Sequence, residues 1–170
     1  SNGQGNGIYW EGGFGMIAGN RIYNFPEGYG IYVPSGTPLI TGNYAGYCKY
    51  GIKVEVPCRI IGNKVVRNYG YGIEVSGIAP QAIVEGNLVM CNGQDDSLDN
   101  TLRAGIRIGH KSVAIGNIVG DDSSTPTQTY GIYIFGEATG VIVMSNRLFG
   151  NAIKNLYSGA SEAIIRNNLG

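Results

Sequence analysis

Short apolar runs recur along the whole chain, each marked by one of two dipeptides. A Gly-Ile pair stands at Gly7-Ile8, Gly30-Ile31, Gly51-Ile52, Gly72-Ile73, Gly105-Ile106 and Gly131-Ile132, with Ala152-Ile153 as a degenerate seventh copy. A Gly-Asn pair alternates with it at Gly19-Asn20, Gly42-Asn43, Gly62-Asn63, Gly86-Asn87 and Gly116-Asn117, then degrades to Ser145-Asn146 and Asn167-Asn168. After the first marker, apolar residues two apart (Ile31 and Val33, Ile52 and Val54, Ile73 and Val75, Ile106 and Ile108, Ile132 and Ile134) share one face of a strand. Two residues before the second marker the column reads Ile17, Ile40, Ile60, Val84, Ala114, Val143, Ile165; three after it comes Ile22, Ala45, Val65, Val89, Val119, Leu148. These columns are apolar and mostly β-branched, as strands prefer.

Each repeat therefore predicts three short strands, with like residues stacked on like from one coil to the next. The fold class is all-β: a single-stranded parallel β-helix, a solenoid of about seven coils. Coils roughly 4.8 Å apart make a rod roughly 30 Å long. Right-handed winding is the rule for parallel crossovers. A leucine-rich repeat is excluded by only seven Leu and by a strand, not a helix, after each Asn. A left-handed β-helix would show hexapeptide periodicity, which is absent. The Asn column falls at a corner between two strands. Its residues are expected to take the left-handed turn, with their amides bonded along the stack as a ladder. Gly before each Asn lets the backbone turn without a Cβ clash.

Composition agrees with many tight corners around a core. The 170 residues, the size of one domain, include 29 Gly, 16 Asn and 12 Tyr, and 43% are hydrophobic. Net charge is zero with 14% charged residues, so neither nucleic acid nor an anionic membrane surface is an expected partner. No apolar run reaches membrane-spanning length. Cys48, Cys58 and Cys91 lack disulfide or zinc spacing and are expected to be small core residues.

The run Ile60-Ile61-Gly62-Asn63-Lys64-Val65-Val66-Arg67-Asn68, followed by Gly72-Ile73-Glu74-Val75, resembles the right-handed β-helix repeats of the pectate-lyase-like superfamily, and the likeness covers essentially the whole chain. It implies the architecture. Because that superfamily spans polysaccharide lyases, glycoside hydrolases, epimerases, phage tailspikes and adhesins, it implies no single activity. The resulting expectation is a carbohydrate-binding or polysaccharide-degrading module of an extracellular or virion-associated protein, its partner a polysaccharide or surface glycan. The alternative is a non-enzymatic shaft or adhesin spacer.

Function on a solenoid sits where the repeat is interrupted. The gap from a second marker to the next first marker is 11, 9 and 10 residues, then 19 and 15, then 7. The two expansions, residues 91–104 and 120–130, fall in the same turn of consecutive coils. They carry Asp95, Asp96, Asp99, Asp121 and Asp122, candidate catalytic carboxylates. Inverting glycoside hydrolysis needs two carboxyls about 6.5–9.5 Å apart, which adjacent loops could supply. The same oxygens could hold Ca²⁺, the one cofactor considered; no residue set has metal-ligand spacing.

A second candidate is the outward column of the Gly-Ile strands: Tyr9, Tyr32, Lys53, Glu74, Arg107, Tyr133, Lys154. Tyr32, Glu74 and Tyr133, with His110 nearby, are expected to touch substrate. The resemblance implies that lyases of this architecture use an outward Lys or Arg as base or acid near calcium, which nominates Lys53 and Arg107. The resemblance to polygalacturonases fails in detail. Their Asp-Asp pair precedes a Gly-His-Gly turn, whereas Gly109-His110-Lys111 precedes Asp121-Asp122. No amphipathic helix covers either end of the rod. The chain is therefore expected to be part of a longer protein, or to be covered by neighbouring chains in a homotrimer or end-to-end contact.

Overall fold

The computed structural model describes residues 5–76 and 81–170. Among the described residues twenty strands form three parallel sheets, and each of the first six coils contributes one strand to each in turn. Sheet A contains Ile8–Tyr9, Tyr29–Val33, Tyr50–Val54, Ile73–Val75, Ile106–Ile108, Tyr130–Ile134 and Lys154–Ser158. Sheet B contains Phe14–Ala18, Thr37–Thr41, Arg59–Ile61, Ile83–Glu85, Val113–Ile115, Ile142–Met144 and Ile164–Arg166. Sheet C has six strands, from Arg21–Tyr23 to Arg147–Phe149, so a seventh coil lacks its third strand. The coil is right-handed, as twisted parallel strands require. Among the described residues no helix is long and apolar enough to cross a membrane.

The predicted columns are the observed registers. On sheet B, Ile17, Ile40, Ile60, Val84, Ala114, Val143 and Ile165 pair in sequence. On sheet C, Ile22, Ala45, Val65, Val89, Val119 and Leu148 do the same. These columns and the Ile and Val columns of sheet A form one core, fully buried through the middle coils. In the last coil the same positions are open, with Ile165 42% exposed. All three cysteines are free and buried; Cys48 and Cys58 join the core as expected, while Cys91 lies outside it with its thiol on Asp122.

Two sequence expectations need correction. Ala152-Ile153 is not the seventh marker: Leu156 pairs with Ile132 and Tyr157 with Tyr133, so Asn155-Leu156 holds that place. Lys154 pairs with Tyr130 and therefore leaves the outward column, which ends in Tyr157. The Asn residues of the ladder also do not take the left-handed turn, even at the last corner, where Asn167 takes it before Asn168. The preceding residue does so, as with Gly62 at φ +63°.

The two marker glycines answer different constraints. A Cβ on Gly62 would meet nothing within 4 Å, so only its positive φ selects glycine. Gly51 turns its α-carbon inward, where a Cβ would collide with the Gly72 carbonyl of the next coil and with Val65 Cγ1.

The Asn ladder runs unbroken from Asn20 to Asn168. Asn63 shows the unit: its Nδ2 donates to Asn87 Oδ1 and to the Ile40 carbonyl, both at 3.0 Å. Its Oδ1 accepts the backbone N–H and the side-chain amide of Asn43, both at 3.0 Å. A second ladder follows at the corner between sheets C and A, through Asn68, Asn92, Gln128, Asn151 and Asn155. The residue before it is left-handed even when bulky, as at Tyr47, Arg67 and Cys91.

Asn87→Ala strips partners from the Asn63 amide and N–H, the Ile60 carbonyl and the Asn117 side-chain Oδ1. It should destabilise the protein by about 3 kcal/mol in chemical denaturation, against less than about 1 kcal/mol for Asn20→Ala at the half-exposed ladder end. Gly51→Ala should cost more than Gly62→Ala, for which left-handed strain of about 1–2 kcal/mol is the whole effect. Equal midpoints for the two glycine variants would contradict these separate roles.

Candidate functional site

The outward face of sheet A gathers eight of the twelve tyrosines. Tyr9, Tyr32, Lys53, Glu74, Arg107, Tyr133 and Tyr157 stand in register along its middle. A second column, Tyr29, Tyr50 and Tyr71, stacks beside it with ring centroids 5.4 and 4.3 Å apart. Tyr29 also stacks on Tyr32 at 4.9 Å, and beyond the charges Tyr133 stacks on Tyr157 at 5.0 Å, with Tyr130 against both. This second column was missed in the sequence because alternation from Ile31 points Tyr29 inward. At Gly30 the alternation breaks, since a Cβ there would meet Ala45 and Cys48 of the core while Tyr29 stacks on the outward Tyr32.

Between the two aromatic groups lies a bonded charge cluster. Glu74, whose side chain is 7% exposed, is bonded to Arg107 and lies 3.8 Å from Lys53. Lys53 is 2.8 Å from Glu55. Burial works against the Lys53 charge, but the Glu55 hydrogen bond, with Tyr29 and Glu74 behind it, raises its pKa above the ordinary lysine value. A lysine so held stays a cation, neither abstracting a proton nor giving one up readily. Burial, reinforced by Glu55, likewise raises the Tyr32 phenol. Arg107 lies over the Tyr71 and Phe135 rings at 5.2 and 4.8 Å.

Phe135 leads to a cleft of about 470 Å³ lined also by Ser76, Gly109, His110, Gly136 and Glu137. His110 Nδ1 lies 3.2 Å from the backbone N–H of Thr139 and 3.3 Å from its hydroxyl. His110 thus stands at the border of the charged stripe. Glu137, in the same cleft, escaped the sequence reading because it belongs to no column.

The two expanded loops lie side by side, as their spacing predicted. The Gln94 amide donates to Thr127 Oγ1 at 2.8 Å, Arg103 to the Thr127 carbonyl at 3.2 Å, and the Thr129 hydroxyl to the Asn100 carbonyl at 2.6 Å. Their carboxylates do not converge. Asp99 caps a single 3-10 turn, Asn100–Arg103, and lies near enough to Arg107 and Tyr133 to act on both electrostatically. Asp95 accepts the Ser97 hydroxyl and N–H at 2.6 and 3.0 Å. The Ser97 and Thr101 hydroxyls hold Asp95 and Asp99 below the usual carboxylate range. Asp96 is exposed. Asp122 faces sheet C instead, accepting the Cys91 thiol at 3.1 Å in a cleft beside Arg67 and Lys64.

Asp121 lies inside the second loop, 2% exposed. Its carboxylate accepts the N–H groups of Ser123, Thr127 and Gln128 at 3.0, 2.8 and 3.0 Å, and the Ser123 hydroxyl. Burial raises its pKa, but these donors outweigh burial and lower it below the ordinary value. Among the described residues, Asp121, Asp122 and Cys91 are the one group of potential metal ligands close together. They do not fit Ca²⁺, because Asp121 is already saturated by the loop and a thiol is a soft ligand.

A family model described as "Right handed beta helix region" matches residues 1–169. No curated protein matches the chain. Among solved structures, the alginate lyase from Paenibacillus sp. str. FPU-7 superposes with a TM-score of 0.62 at 18% identity, covering 83% of this chain. The chain spans 52% of that enzyme's length. At this identity the likeness is one of fold.

Asp121 holds the loop closed, which predicts a stability phenotype. Asp121→Ala should destabilise the protein by about 2–3 kcal/mol and speed amide exchange across residues 122–128. Because the folded pKa is depressed, this contribution is fully present above the unfolded carboxylate value near ~4 and is lost as pH falls through the lower folded value. The gap between wild type and Asp121→Ala should therefore be constant from pH 5 to 8, on the order of the neutral value, and close in stronger acid. A gap already closing near pH 6 would rule this role out.

Proposed function

The chain belongs to the right-handed β-helix family, and on that footing we propose that it is a polysaccharide-binding module of a polysaccharide-degrading protein, with the outward face of sheet A as the glycan site. The observation that carries this reading is the concentration of seven partly exposed tyrosines, stacked with the buried Tyr71, around a charged centre. Aromatic rings offer sugar C–H faces a flat apolar platform, while carboxylates and guanidinium groups take up the hydroxyls. Seven rungs of about 4.8 Å give an open track long enough for several sugar rings. A plain spacer has no need of such a face. The polysaccharide-lyase fold of the alginate lyase it resembles supports the same reading.

For degradation, Lys53 and Arg107 would supply positive charge to a developing oxyanion, with Asp99 and His110 at the borders of the cluster. An extracellular or virion-associated setting, such as a tailspike, fits a surface built for a glycan. Neighbouring copies would cover the exposed Ile165 and Leu169 of the last coil.

A glycan array followed by mass spectrometry of the incubated polymers separates binding from cleavage. The double variant Tyr32→Ala, Tyr133→Ala should lose about tenfold or more in affinity at unchanged melting temperature, from roughly 1 kcal/mol per aromatic contact. Unchanged affinity in that variant, or no binding across the array, would return the chain to the role of shaft or spacer.

A further inference from the structure

The charge balance of the sheet A face bears on the class of polysaccharide it accepts. Lys53 is shared between Glu55 and Glu74, and Arg107 is committed to Glu74. Both cations also rest against aromatic rings, Lys53 at 5.7 and 5.5 Å from the Tyr29 and Tyr32 centroids, Arg107 against Tyr71 and Phe135. Asp99 is near enough to act on Arg107 electrostatically, and Glu137 lines the cleft beside Phe135. The bonded centre thus balances two cations against two carboxylates, Glu55 and Glu74, so both cations are already paired. Lys49 and Arg103 act on Asp95 at the margin, and Lys154 stands over Tyr157 in the last coil.

A polyuronate bears a carboxylate on every sugar. To bind across this centre it would have to draw Arg107 or Lys53 away from Glu74, leaving a nearly buried carboxylate unpaired, which is strongly unfavourable. An uncharged sugar meets no such penalty: its hydroxyls donate to the carboxylates and its ring faces lie on the tyrosines. Resting on the sheet A reading above, we infer that the face selects a neutral polysaccharide and discriminates against polyuronates.

Matched polymers test this directly. Alginate and polygalacturonate are each compared with the same polymer after carboxyl reduction, which keeps the linkages and removes the charge, beside a panel of neutral glycans. Isothermal titration should show the reduced forms or neutral glycans binding at least about tenfold more tightly than the native polyuronates, with little dependence on salt from low to high ionic strength. Native polyuronate binding as tightly as its reduced form, and weakening as salt is added, would overturn the inference while leaving the sheet A site intact. Glu74→Gln, which releases Arg107 and Lys53, should raise native polyuronate affinity by about tenfold at low salt. No rise in a folded Glu74→Gln protein would also count against the inference. If the Tyr32→Ala, Tyr133→Ala variant binds any of these polymers as wild type does, the sheet A reading itself fails and the inference falls with it.

Discussion

Each corner of a parallel β-helix turns polar backbone groups inward, where neither the strand ladders nor water can reach them. The asparagine ladder answers that constraint. One side chain at each rung takes an N–H and an amide from one neighbour, gives its own amide to the other, and caps a carbonyl across the corner. Five of its members are at most 2% exposed, so the amide bonds among them are made away from competing solvent. Because each rung is satisfied by the rungs beside it, the ladder also fixes their spacing. The isoleucine and valine columns then meet in register, and the outward face of sheet A inherits the same regular pitch.

That pitch governs the electrostatics of the face. Lys53, Glu74 and Arg107 occupy successive rungs, so alternating charges fall within bonding distance without any loop to position them. The surrounding tyrosines partly remove the cluster from water, strengthening the pairs and raising the cost of breaking one. A stripe of this kind is preorganised in geometry and already committed in charge. The first property favours ligand binding, and the second narrows what can bind.

Most of the architecture was legible in the sequence because one residue type per column repeats through all coils. Ile17 to Ile165 and Ile22 to Leu148 were assigned by spacing alone and pair as assigned. Legibility failed where a column changes residue type or alternation breaks. Asn155-Leu156 escaped because Ala152-Ile153 imitates the marker three residues earlier. The second ladder escaped because a cysteine backbone begins it and a glutamine interrupts it. For the site, the middle column was read correctly as far as Tyr133, while the Tyr29–Tyr50–Tyr71 stack depends on a break in alternation that spacing does not reveal. The five loop aspartates were found by composition, but composition cannot separate Asp99, near Arg107, from Asp121, consumed by its own loop, or Asp122, turned to another sheet.

Gln128 has a consequence for how such a rod can change. After the excursion through residues 122–127 the chain does not return with an asparagine. It returns with a side chain one methylene longer, whose amide still bridges Asn92 and Asn151 at 3.2 and 2.7 Å. The core therefore registers the inserted residues as an ordinary corner. A solenoid with this tolerance is modular at that position: segments of different length and chemistry can be exchanged there while the rungs on either side keep their stacking. Variation in ligand preference among such rods could then be confined to one corner, leaving the scaffold that presents it almost untouched.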